Sequence, residues 1–137
     1  MSKFTLNIED DYDFSLIGIS CHAKDYRLCF ELNKILEIDL VRGEDLDIDS
    51  KNTKANYALY DYIDEENFID YYLISNRSNK GFLIPEHKST DFFLLLKGAS
   101  NDDIIENIIN KISEIQLVLT SFQIDVNSLK SKQNLIF

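Results

Sequence analysis

Several groups of residues in this 137-residue chain could do chemistry. Within Gly81 to Gly98, GFLIPEHKSTDFFLLLKG, His87 follows Glu86 and stands four residues before Asp91. An imidazole beside carboxylates can pass a proton near neutral pH, although a loop histidine at the surface accounts for the same residues. Cys21 directly precedes His22, but strand neighbours point to opposite faces, so adjacency alone does not make a nucleophile and its base. Cys21, His22, Cys29 and His87 are metal-binding types at spacings that match no zinc pattern. Asp45, Asp47 and Asp49 imitate the opening of a calcium loop, yet Ser50 stands sixth and Asn56 twelfth where glycine and glutamate are required. Their alternation with Leu46 and Ile48 reads instead as an edge strand with a solvated acidic face. No phosphate loop, G-x-S-x-G, HExxH or CxxC occurs, and Gly18, Gly43, Gly81 and Gly98 lie apart. The expectation is therefore no catalytic residue, no metal and no cofactor.

The stretch that holds His87 also sets the elements around it. Phe82 to Ile84 is apolar, Pro85 removes a backbone donor and stops pairing there, and Phe92 to Leu96 is apolar without alternation. Such a run is expected of a strand covered on both faces. The polar bend between the two runs places Pro85, Glu86, His87 and Asp91 near a strand end. There the carboxylates either accept hydrogen bonds from loop amides or meet a ligand or partner.

Ile84-Pro85-Glu86, followed after three residues by Thr90-Asp91-Phe92, resembles the signature of the bacterial IPExxxVDY family of small uncharacterised proteins. Thr90 stands at the pattern's valine and Phe92 at its tyrosine, so no phenol is available there for catalysis. The segments DFSLIGIS, DYRLCFELN and LKSKQNLIF are also similar to that family. The resemblance implies a bacterial, cytosolic setting and supplies no activity.

At net charge −10, the chain would be repelled by nucleic acid at long range unless its basic residues clustered, and Arg77 with Lys80 and Lys130 with Lys132 are isolated pairs in sequence. No apolar run is long enough to cross a bilayer and the N-terminus has no signal-peptide pattern, so the expectation is a cytoplasmic protein with no membrane partner. Two cysteines make no disulfide framework.

In chain order, Phe14 to Ser20 reads as a strand, and Lys24 to Glu37 as an amphipathic helix with Leu28, Cys29, Leu32, Ile35 and Leu36 on its apolar side. An acidic lead, Glu9 to Asp13, precedes them. Lys51 to Asn56 reads as loop. Tyr57 to Tyr62 and Phe68 to Ser75 read as a hairpin gathering Tyr57, Tyr60, Tyr62, Tyr71 and Tyr72, and Asn76 to Gly81 as a turn. Ser100 and Asp103 at capping-box spacing open a helix carrying Ile104, Ile105, Ile108, Ile109 and Ile112. Ile115 to Ile124 reads as a strand, with Ile115, Leu117 and Leu119 alternating against Gln116, Val118 and Thr120.

This order predicts an α+β fold, a mainly antiparallel sheet with two helices on one face, close to a split βαβ or ferredoxin-like sandwich. Residues 1–128 form a single domain. Residues 129–137 form a tail whose Leu135, Ile136 and Phe137 pack on the body or reach a partner. Two functions fit: a non-enzymatic interaction or adaptor domain that binds a protein partner or itself through Tyr60, Tyr62, Tyr71 and Tyr72, the signature bend or the tail; or a small-molecule-sensing domain with its ligand at a strand-end loop or dimer interface.

Overall fold

The computed structural model describes residues 14–50, 53–78, 80–98 and 101–135. The acidic lead, Ser100, Ile136 and Phe137 lie outside them. A six-stranded sheet runs β10-β1-β9-β6-β5-β2, built from β1 (Phe14–Cys21), β2 (Val41–Arg42), β5 (Leu59–Asp64), β6 (Ile69–Ser75), β9 (Phe92–Lys97) and β10 (Val118–Ile124). Every neighbouring pair in it is antiparallel. Because β9 and β10 both run opposite to β1 between them, they are parallel to one another. With the intervening helix α2 (Asp102–Ser113) they form a split βαβ unit.

Two cores use the two faces of this sheet. On one face Ile17, Ile19, Leu73, Leu94 and Leu96 meet Leu28 and Leu32 of helix α1 (Asp25–Leu36) and Ile105, Ile108 and Ile112 of α2. On the other, Leu16, Ile74, Phe93 and Leu95 meet Leu83, Ile84, Leu129 and Leu135 together with Ala55 and Tyr57. The unbroken apolar run of β9 thus has partners on both sides, as its lack of alternation predicts. α1 starts and stops within a residue of the periodicity. Its last turn ends on Glu37 in the left-handed conformation, φ 57°, with the Glu37 N–H on the Asn33 carbonyl. Among the described residues no helix is long and apolar enough to cross a membrane.

Several sequence expectations are corrected. Thr53–Tyr57 is a strand, β4, paired with β3 (Leu46–Ser50) so that Ile48 faces Ala55 and Leu46 faces Tyr57. Lys54 and Asn56 occupy its solvent face, so a polar composition hides a period of two. The run Tyr57 to Tyr62 breaks at Ala58: Tyr57 belongs to the β3–β4 hairpin and the other four tyrosines to β5 and β6. Leu83 and Ile84 are buried outside any ladder, since only Gly81–Phe82 pairs, as β8, with β7 (Arg77–Ser78). The cap of α2 is Asn101, whose side chain accepts from the Asp103 N–H. Ile115 lies in the turn after α2, and Val118 rather than Leu119 packs toward the helices, because the register shifts between Ser20 and Cys21 opposite β10.

Candidate functional site

The signature bend is built around Asn76, which the sequence pattern places at the start of a turn. Asn76 is fully buried where β6 ends. Its amide nitrogen donates to the carbonyls of His87 (2.9 Å) and Thr90 (2.8 Å), and its amide oxygen accepts the Ile84 N–H (2.8 Å). Its own backbone accepts from the Leu83 N–H and donates to the Asp91 carbonyl. Pro85 can open the short 3₁₀ turn Pro85–His87 because no donor is required of it there. One buried amide therefore satisfies backbone groups that the proline-interrupted chain cannot pair in a sheet. The signal available in sequence was an asparagine directly after a β-run, a residue type that bonds nearby backbone.

The two signature carboxylates are turned to different neighbours. Glu86 accepts from the N–H groups of Lys130 and Ser131 and from the Ser131 hydroxyl, tying down the chain that follows β10. Burial pushes its carboxyl up, but the Ser131 N–H, its own N–H, the Ser131 hydroxyl and the Lys130 N–H outweigh burial and hold it below its ordinary 4.5. Asn134 donates to the Leu83 carbonyl at 2.8 Å, and Leu129 and Leu135 are buried against Leu83 and Ile84. The tail up to Leu135 thus packs on the body.

Asp91 is buried between β1, β6 and β9. Its Oδ2 accepts the Cys21 N–H at 2.8 Å, and its Oδ1 accepts from Arg77 Nε (2.9 Å) and Nη2 (2.8 Å). The Arg77 guanidinium lies 5.5 Å from the Phe82 ring centre. His87 sits 6.4 Å, ring centre to ring centre, from Phe122. Glu86, His87 and Asp91 therefore adjoin in sequence but serve three different neighbours, the tail, the Phe122 ring and Arg77.

An open cleft of about 340 Å³ lies beside Asp91, lined by Cys21, His22, Ala23, Ser75, Arg77 and Phe92. Cys21 is buried and His22 exposed, as their adjacency at a strand end predicts. The other thiol, Cys29, is pushed up to about 11 by burial and by Asp25 and Asp39, so it stays protonated. Among the described residues no three His, Cys, Asp or Glu side chains gather as metal ligands.

The tyrosines of β5 and β6 divide between the two faces. Tyr60 and Tyr71 are buried on the helical face, and Tyr62 packs across the strands on Tyr71 with ring centres 6.0 Å apart. The Tyr60 hydroxyl donates to Asp25 of α1 at 2.9 Å; burial, then this bond, pushes it up to about 12. Tyr72 lies half-buried on the opposite face under Lys97, whose ammonium is 5.2 Å from the ring centre. The exposed aromatics are different residues: Tyr26 (62%) and Phe30 (64%) on α1 and Phe68 (82%) at the β5–β6 turn. Phe30 follows the buried Cys29 and Phe68 precedes the buried Ile69, so only the fold distinguishes these aromatics from core residues. Compared with protein-family models and with curated proteins, the chain matches none.

Proposed function

We propose that this chain is a non-enzymatic interaction domain that docks on a protein partner through the outer face of α1. The observation that carries the reading is the exposed pair Tyr26 and Phe30, one helical turn apart on a helix whose opposite side is buried in the core. Each large side chain left in water forgoes about 1.5–3 kcal/mol of burial energy. Aromatic anchors at this spacing are the ridge that helix-in-groove recognition uses. Val41, on the short edge strand β2, is also exposed. Tyr60 and Tyr71 of the hairpin and Leu129 and Leu135 of the tail are less suited to the role, since each is buried within the fold.

On kinship with the IPExxxVDY family, the motif is a folding signature in a cytosolic bacterial protein. Ile84 fills the core, Pro85 opens the 3₁₀ turn, Glu86 ties the tail and Asp91 joins β1 to Arg77. Affinity capture from the native cytosol with wild type and with Tyr26→Ser/Phe30→Ser tests the docking face. Both positions are exposed, so the variant is expected to keep its thermal midpoint within a few degrees. A stoichiometric partner retained by the folded variant would reject this face.

A second reading, small-molecule sensing, is favoured by the cleft at Asp91. It opens where β1 and β6 end and β9 begins, a strand-end position suited to a ligand.

A further inference from the structure

We propose that this cleft binds the oxyanion group, carboxylate or phosphate, of a small metabolite, with the Arg77 guanidinium as its donor. The inference rests on the sensing reading and names its ligand class.

Arg77 is pre-oriented for the task. A guanidinium has five N–H donors in a rigid plane. Asp91 engages Nε and Nη2 through a single carboxylate oxygen, which leaves Nη1 outside that contact. The side chain remains 57% exposed while Asp91 is almost enclosed, so the carboxylate fixes the fork and leaves part of the guanidinium accessible in the cleft that both residues line. The Phe82 ring restricts it further.

The other lining residues, Cys21, His22, Ala23, Ser75 and Phe92, bring no further carboxylate into the cleft.

The cleft volume, at the lower end of ligand sites, fits a small metabolite rather than a polymer.

Thermal unfolding is followed with inorganic phosphate and, separately, succinate, each at about 20 mM against sodium chloride at equal ionic strength. Because Arg77→Gln alone strands the buried Asp91, the comparison variant is Arg77→Gln/Asp91→Asn, which removes both charges and keeps an acceptor for the Cys21 N–H. The wild type should gain about 3 °C with at least one anion, a gain the double variant loses. A response to phosphate alone assigns a phosphoryl ligand, and one to succinate alone a carboxylate. Equal gains in both proteins overturn the site. Stabilisation of wild type by an uncharged nucleoside but by neither anion overturns the oxyanion assignment while the sensing reading stands, and no response to any of the three overturns both.

Discussion

Replacing Asn76 by alanine should be the most damaging single change in the signature bend. The side chain is fully buried and makes three hydrogen bonds of 2.8–2.9 Å, to the His87 and Thr90 carbonyls and from the Ile84 N–H. Each such bond contributes about 1 kcal/mol net, and a buried N–H left without an acceptor costs about 1–3 kcal/mol. The loss should total about 3–4 kcal/mol, lowering the thermal midpoint of a domain this size by about 10–15 °C. Urea titration should move the midpoint concentration without altering the slope. Amide exchange should accelerate at Ile84 and Leu83 before the sheet is affected. Asn76→Asp supplies the sharper arm. It keeps an acceptor for Ile84 but turns an oxygen toward two carbonyl oxygens in place of two donated hydrogens, so at neutral pH it should be at least as unstable as alanine. A loss below about 1 kcal/mol for alanine, or an aspartate variant as stable as wild type, would refute the view that this amide holds the bend together.

Thr90 is fully buried, and among the described residues no polar group reaches its hydroxyl. Thr90→Val, which replaces that hydroxyl with a methyl, should therefore stabilise by about 1 kcal/mol in urea titration, and Thr90→Ser should not. Glu86 lies below its ordinary 4.5 in the fold, so its contribution is present above that value and is lost as pH falls through the lower folded value. The midpoint gap between wild type and Glu86→Gln should accordingly narrow in thermal melts once pH falls below 4.5, and a gap that stays constant down to the lowest pH at which both fold would dissociate Glu86 from tail docking. At Gly98, φ is +93° and a Cβ would stand 2.2 Å from the Phe68 carbonyl oxygen. Gly98→Ala should cost about 2–4 kcal/mol by equilibrium unfolding, through backbone strain and displacement of the β5–β6 turn.

Where a residue's role follows from near neighbours in sequence, that role was legible. The 3.6 period of α1 placed Leu28, Cys29 and Leu32 inward, the isoleucines of α2 placed its core face, and the unbroken run in β9 announced cover on both sides. The α+β class with two helices on one face follows from those periods, because each apolar face needs an opposing layer. The β4 strand was not legible, since Lys54 and Asn56 are as polar as a loop and only Ala55 and Tyr57, seated under the sheet, reveal the alternation. Tertiary structure alone decided the partners of the signature. Glu86 reaches residues 44 and 45 positions away and Asp91 a backbone amide 70 away, distances over which no local pattern operates. It decided too which aromatics face water. Tyr60 and Tyr71 are drawn inward by their place in the pleat, while Tyr26 and Phe30 are left outside by the turn of a helix whose other side had already filled the core. A hydrogen bond or a burial is a relation between two segments, and the sequence of either one carries only half of it.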